Sequence, residues 1–138
     1  MQHEITAAQP LLDEKGNLRE AGYCKKLLPI YRRRDIKAGA LRIKEWDYYL
    51  INNGHFAVAL TIADNGYMGL DSVSLLNLDE GWEKTKSPMR AFPLGKTGLP
   101  ESSETGDVSI SGKGYHLSFR HDGPLATVSS HEIWLFKS

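Results

Sequence analysis

The sequence has a single cysteine, Cys24, among its 138 residues. A lone thiol can form neither an intrachain disulfide nor a cysteine-based metal site, so we expect no disulfide scaffold and no bound metal. No stretch approaches the run of about 18 apolar residues that a transmembrane helix needs. Residues 1–10 lack the basic start and apolar core of a signal peptide, so we expect a cytoplasmic protein with no transmembrane segment.

An excess of charge of one sign is also missing, since Lys plus Arg and Asp plus Glu each number 17. A neutral chain without a recognisable RNA- or DNA-binding pattern gives no support for a nucleic-acid partner. The glycine-rich phosphate loop, the dinucleotide fingerprint and the hydrolase nucleophile elbow are absent from the sequence, and we expect no cofactor. With 41% hydrophobic and 25% charged residues, the chain is expected to fold as a single globular domain.

From Leu41 onward the hydrophobic pattern has the period of two that is typical of β-strands. Asn-Gly pairs at 53–54 and 65–66 separate three alternating runs, which predicts a three-stranded antiparallel meander. Residues 82–106, which contain three prolines, are predicted to form a long irregular connection. The six predicted strands are Glu45–Ile51, His55–Ala63, Tyr67–Leu78, Asp107–Ser111, Tyr115–His121 and Leu125–Lys137.

The pattern therefore predicts a mostly β fold, in which the antiparallel meander curls into a partial barrel. A plain antiparallel β-sandwich is the alternative. Residues 1–40 are expected to form a basic N-terminal arm, and residues 41–138 the antiparallel β-domain. Within the arm, a capping residue at Asn17 and a stop at Pro29 predict a short helix, with irregular structure elsewhere.

Charge is distributed unevenly along the neutral chain. Ten basic and two acidic residues lie between Lys15 and Lys44, whereas seven acidic and no basic residues lie between Glu45 and Glu83. This asymmetry predicts that the arm lies across the meander. Surface ion pairs contribute only about 0–1 kcal/mol each, so they would orient the arm without holding it.

Two carboxylates fall in the middle of predicted strands, Asp47 in the first and Asp71 in the third. A carboxylate at such a position either faces water or lies in a cavity with a partner. Together they are weak candidates for a catalytic acid–base pair, and two solvent-exposed carboxylates would explain the same residues.

Most of the aromatic residues also fall on predicted strands, where they usually form the core of a sandwich or barrel. Aromatic side chains equally line the apolar cavities of barrels that enclose a small ligand. The small side chains on one face of the second strand, Ala57 to Ala63, would leave room for such a ligand. We therefore expect an apolar small molecule to be held against Trp46, Tyr48 and Trp134.

The run Arg32, Arg33 and Arg34 is a candidate anion-binding site for phosphate or an anionic lipid headgroup. The alternative is a solvated basic surface, since charge runs usually lie at the surface.

Four phrases of the sequence resemble the domain of unknown function 2804 family, over about Gln9–Leu78. They are QPLLDEKGNLREAGY from Gln9, YRRRD from Tyr31, RIKEWDYY from Arg42 and YMGLDSVS from Tyr67. That family is distantly similar to a lipocalin-like group that contains AttH-type proteins and hydroxyneurosporene synthase, built from two consecutive β-domains. The resemblance implies a lipocalin-like barrel, apolar ligands and correspondence to the N-terminal half of a longer family member. It implies no catalytic residue.

Three functions follow from these features. The first is binding of a hydrophobic small molecule without catalysis. The second is a cofactor-independent lyase or isomerase acting on an isoprenoid- or lipid-like substrate, with Asp47 or Asp71 as proton donor. The third is an interaction module that acts through the basic arm. Because the last predicted strand is apolar on both faces, we also expect a homodimer whose interface includes Trp134 and Phe136.

Overall fold

The computed structural model describes residues 2–102, 104–122 and 125–131, with the backbone alone for 122 and 125–131. These residues form ten β-strands and one short 3-10 helix, Arg33–Asp35. The strands are β1 Gln9–Pro10, β2 Pro29–Ile30, β3 Glu45–Asn52, β4 Phe56–Asp64, β5 Met68–Asn77, β6 Trp82–Lys86, β7 Met89–Ala91, β8 Val108–Gly112, β9 Tyr115–Asp122 and β10 Leu125–His131. The predicted mostly β fold is confirmed.

The chain divides into two compact units, Met1–Gly39 and Ala40–Ser138. In the described part of the chain, no helix has both the length and the apolar character that crossing a membrane requires.

In the first unit, β1 and β2 pair in parallel. The predicted helix between Asn17 and Pro29 is wrong, since the described residues contain no α-helix. The Asp13 carboxylate accepts hydrogen bonds from the backbone N–H groups of Lys15 (2.9 Å) and Asn17 (2.8 Å), which closes a turn where the helix was expected to begin. Further along, Tyr23 exchanges backbone hydrogen bonds with residues 3 and 5, so the segment is paired in an extended conformation.

The second unit contains a sheet with the order β3-β4-β5-β6, in which β7 also pairs with β5. Adjacent β3, β4 and β5 are antiparallel, which confirms the predicted meander. Both Asn-Gly turns place their glycine in the left-handed region, with φ of +91° at Gly54 and +76° at Gly66. Residues with a Cβ rarely adopt these angles, so the two glycines set the register of the meander.

A second sheet has the order β10-β9-β8 and is also antiparallel. One hydrophobic core joins the two sheets, because its buried side chains come from β4 and β5 of one and from β8 and β9 of the other. They are Leu60, Ile62, Val73, Val108, Leu117 and Phe119. Within the described strands, neither sheet closes on itself, which is consistent with a partial barrel.

The long irregular connection predicted for 82–106 is partly wrong, because it begins with β6 and β7. Strand β6 is exposed along its whole length and pairs with β5 at the edge of the sheet. Its side chains therefore show no hydrophobic alternation, which is the signal that identified the other strands. The Ser74 and Thr85 hydroxyls, 2.6 Å apart, hydrogen-bond across this edge pair.

The two turn glycines give a matched test of the meander. A Cβ at Gly66 would lie 2.4 Å from the Ala40 carbonyl oxygen, whereas a Cβ at Gly54 would meet nothing within 4 Å. We expect Gly54→Ala to cost about 1–2 kcal/mol from backbone strain alone. Gly66→Ala should cost clearly more, because the 40–41 backbone must also move. Urea denaturation measures both, and equal losses would show that the contact at Gly66 does not matter.

Candidate functional site

An ion pair between a fully buried Asp71 and a largely buried Arg90 lies on the inner, core-facing side of the first sheet. Arg90 on β7 donates to Asp71 on β5 through Nε to Oδ2 (2.7 Å) and through Nη2 to Oδ1 (2.9 Å). The Tyr115 hydroxyl, from the second sheet, donates to the same Oδ2 at 2.7 Å. The Asp71 carboxylate thus accepts a bidentate contact from the guanidinium and a third hydrogen bond from the Tyr115 hydroxyl. A buried carboxylate requires such an arrangement.

The local sequence makes room for this ion pair. Gly69 pairs with Arg90 across the strands, and a Cβ at Gly69 would lie 2.8 Å from the Arg90 Cζ atom. The guanidinium therefore lies directly over the glycine. Burial, followed by the hydrogen bond to Asp71, raises the pKa of Tyr115 to about 12, so its hydroxyl remains a donor at neutral pH.

A second buried carboxylate, Asp64 at the end of β4, is connected to the first through Thr97. Asp64 accepts from the backbone N–H groups of Gly66 (3.0 Å) and Gly95 (2.8 Å) and from the Thr97 hydroxyl (3.0 Å). Arg90 Nη1 in turn donates to the Thr97 oxygen at 3.3 Å. These contacts attach the segment that follows β7 to the turn between β4 and β5.

A separate cluster contains Asp47, Tyr49 and His121. The His121 Nδ1 atom lies 2.6 Å from the Gly106 carbonyl oxygen, which can only accept, so Nδ1 carries the proton. In the neutral ring Nε2 is then an acceptor, and the Tyr49 hydroxyl donates to it at 2.9 Å. The cluster joins β3 of the first sheet to β9 of the second.

Within this cluster, one oxygen of Asp47, Oδ2, is buried without a hydrogen-bond partner. Burial raises the pKa of Asp47, and the nearby His121 partly offsets that rise. Burial and the Asp47 charge also raise the pKa of Tyr49. A partly desolvated carboxylate beside a histidine and a phenol is a chemically competent group for proton transfer.

The two predicted acid–base candidates share one face of the sheet but do not meet. Asp47 and Asp71 both pair with Ile62, which lies between them on the central strand. Two interstrand spacings separate their backbones by about 10 Å. Both Asp71 oxygens accept hydrogen bonds from Arg90 or Tyr115, whereas the Asp47 Oδ2 atom has no hydrogen-bond partner.

The predicted ligand-binding aromatics lie on the opposite, outer face of β3. Trp46, Tyr48 and Leu50 alternate with Asp47 and Tyr49, and all three are more than half exposed. Their cross-strand neighbours on β4 are the small residues Ala63, Thr61 and Ala59, in that order, and both alanines are buried. On the outer face, the large side chains of β3 therefore lie next to the small side chains of β4.

The other residues predicted from the sequence are the arginine run and the C-terminal aromatic residues. The arginine run enters the 3-10 helix, with Arg32 at its N-terminal cap, Arg32 and Arg33 half-buried, and Arg34 exposed. Anion binding there stays a prediction. Trp134 and Phe136 lie outside the described residues.

Sequence reasoning did not identify Asp64, Arg90, Thr97, Tyr115 or His121 as site residues. Asp64 was part of a turn signal, and Arg90 fell in the supposed irregular connection. Asp71 and Arg90 are 19 positions apart along the chain, and Tyr49 and His121 are 72 apart. No local pattern indicates such pairs. A mid-strand Asp71 two residues after the small Gly69 was the available signal for a buried partner.

Comparison with known proteins gives one match. The family model described as Domain of unknown function (DUF2804) matches residues 2–133. We found no match among curated proteins or solved structures.

The buried ion pair can be tested against an exposed one. Asp71→Asn removes the counter-charge of Arg90, and we expect a loss of about 3–5 kcal/mol in the free energy of unfolding. Asp79→Asn removes the exposed partner of His55 and should cost less than about 1 kcal/mol. Tyr115→Phe should fall between them, at about 1–3 kcal/mol for one buried hydrogen bond. Similar losses for the two aspartate variants in a denaturant titration would contradict this ranking.

The raised pKa of Asp47 predicts a pH-dependent stability. The folded protein holds this proton more tightly than the unfolded chain, so its contribution to stability falls as the pH rises from the ordinary aspartate value through the raised one. Asp47→Asn should therefore be more stable than the wild type at about pH 7, and the gain should disappear below about pH 4. Denaturation curves at several pH values measure this, with exposed Glu104→Gln as the control. A gain that does not change with pH would refute the assignment.

Proposed function

The chain belongs to the family of the domain of unknown function 2804, and we propose that it is a domain that binds a hydrophobic small molecule without catalysis. The proposed binding surface is the outer face of the first sheet, with Trp46 and Tyr48 as its principal contacts. The family description names no activity, so the proposal depends on the chemistry of this face.

The observation that carries the proposal is the exposure of large apolar side chains on β3. Trp46 is 63% exposed, and Tyr48 and Leu50 project from the same face. Burying one such side chain against a ligand contributes about 1.5–3 kcal/mol, so a cluster of three is a strong apolar binding surface. Their neighbours on β4 are small, so a flat or chain-like molecule would contact mainly the large side chains of β3.

The position of the carboxylates supports a carrier more than an enzyme. An enzyme of the lyase or isomerase class needs a carboxylate within reach of the bound substrate. Asp47 and Asp71 point to the inner face, whereas Trp46 and Tyr48 lie on the outer face of the same sheet. A ligand on the aromatic face is therefore separated from both carboxylates by the backbone of the sheet.

The second candidate function is a cofactor-independent lyase or isomerase that uses Asp47 on the inner face. The free oxygen of Asp47, its raised pKa and the adjacent Tyr49–His121 pair favour this residue over Asp71 as the proton donor. In that case the substrate would approach from the end of β9, where His121 is half-buried.

The proposal also includes a lipocalin-like arrangement, a cytoplasmic location, and a homodimer formed through the C-terminal strand. The homodimer would cover the apolar side chains of that strand, and Trp134 would add to the aromatic surface. The lipocalin-like arrangement rests on the family resemblance, and the location and the homodimer rest on the sequence alone. Trp134 and Phe136 lie outside the described residues.

Binding can be followed with a fluorescent hydrophobic dye. Trp46→Ser should weaken dye binding by about tenfold or more, which corresponds to a loss of about 1.4 kcal/mol or more of apolar contact. Leu78→Ser removes a comparably exposed apolar side chain near the other end of the sheet and should leave the affinity unchanged. Asp47→Asn should also bind as the wild type does if the outer face is the site.

Two results would change the assignment. Equal affinity of the Trp46→Ser variant and the wild type would contradict binding on the outer face. Loss of binding in Asp47→Asn, with Trp46→Ser unaffected, would favour the inner face and the catalytic alternative.

A further inference from the structure

Large apolar side chains gather at one end of the first sheet, around the turn that joins β4 to β5. Leu41, Tyr67 and Phe92 come from three different segments, and each is at least half exposed. None of them lies on the alternating face of β3 that carries Trp46 and Tyr48. We name this group of three residues the turn patch.

Backbone contacts show that the three segments meet. The Phe92 N–H donates to the Tyr67 carbonyl at 3.0 Å, and the Leu94 N–H donates to the Gly66 carbonyl at 3.0 Å. On the other side of the turn, a Cβ on Gly66 would lie 2.9 Å from the Leu41 carbonyl oxygen. The turn patch is therefore one contiguous feature of the fold.

The backbone at Phe92 is strained in a way that keeps its ring in solvent. Phe92 and Leu94 have φ angles of 48° and 53°, in the left-handed region that bulky residues rarely occupy. Asp64 holds the following residues in place by accepting from the Gly95 N–H and the Thr97 hydroxyl. Strain of this kind persists only where the surroundings impose it, and here its result is a phenylalanine that is 64% exposed.

The exposed charges next to the turn patch in the sequence are basic, and the acidic neighbour on β3, Glu45, is half-buried. Arg42 and Lys44 follow Leu41, and Lys96 follows Phe92, and all three are exposed. Asp64, the carboxylate of the turn, is almost fully buried and engaged by donors from the neighbouring loop. The turn patch is thus an apolar surface flanked by cationic side chains. It complements a binding partner that has anionic groups at its surface and an apolar layer below them.

We propose that the turn patch docks the protein on an anionic membrane surface, with Leu41, Tyr67 and Phe92 entering the headgroup region. Leucine and phenylalanine bury their apolar side chains at this interface, the Tyr67 hydroxyl stays at the polar headgroup level, and exposed lysines gain from the negative surface potential of anionic lipids. A protein partner fits less well, because lysine is depleted from protein interfaces. This inference goes beyond the proposed function and does not depend on ligand binding at Trp46.

The test is co-sedimentation with vesicles of phosphatidylcholine, alone or with phosphatidylserine. The wild type should bind the vesicles that contain phosphatidylserine and should bind less as salt is added. Phe92→Gly should weaken binding by about tenfold, since it removes the inserting ring. Glycine accepts the left-handed conformation, so this variant should fold at least as well as the wild type.

Leu94→Gly is the matched control. It also replaces a large residue at a left-handed position, but Leu94 is half-buried and is not part of the turn patch. Vesicle binding should therefore be unchanged if the protein is as stable as the wild type. The pair Lys44→Gln and Lys96→Gln should reduce the preference for phosphatidylserine. Dye binding should persist in all of these variants, which separates this test from that of the outer face.

Two outcomes would overturn the proposal. The first is a wild-type protein that does not sediment with anionic vesicles. The second is a folded Phe92→Gly variant that binds them as the wild type does. A third result would point to a different partner. If the wild type does not bind vesicles but self-associates, and Phe92→Gly abolishes the self-association, the turn patch is an interface with a second copy of the chain.

Discussion

The second unit is organised around the charge of Asp71, which has no access to water and so depends on Arg90 and Tyr115. Arg90 brings β7 against β5, and Tyr115 brings the second sheet against the first. Thr97 extends the same network to Asp64 and thereby to the loop that follows β7. A hydrophobic core alone would tolerate several arrangements of these elements, whereas a buried carboxylate accepts only the one in which its donors are in place.

Much of the fold follows from local patterns in the sequence. Alternating side chains and two Asn-Gly turns are sufficient to define β3, β4 and β5, and the structure extends or trims these strands by one residue at their ends. Strand β6 was missed because an exposed edge strand buries nothing and therefore shows no period. The predicted helix failed because Asp13 and residues 3–5 satisfy the backbone of that segment in other ways.

The candidate sites were harder to predict than the strands. Alternate residues of a strand lie on opposite faces, but the alternation does not show which face contacts the core. On β3 the face with Trp46 and Tyr48 is the more apolar, yet Asp47 and Tyr49 face the core. The inner side chains have partners there, since Tyr49 meets Phe119 edge-on, with ring centroids 4.7 Å apart, and bonds to His121. Such partners are set by the packing of two sheets, which a single sequence does not encode locally.

The spacing of the polar contacts also has a kinetic consequence. The hairpins of the meander join residues that are close along the chain, whereas Asp71 meets Tyr115 after 44 residues and Tyr49 meets His121 after 72. Loop closure of that length costs more entropy than a two-residue turn, so local hairpins form early and the polar contacts between sheets form late. During this interval the Asp71 carboxylate lies on a sheet whose covering layer is absent and remains hydrated. Its dehydration is then coupled to the docking of the second sheet, which makes that docking the step most sensitive to ionic strength.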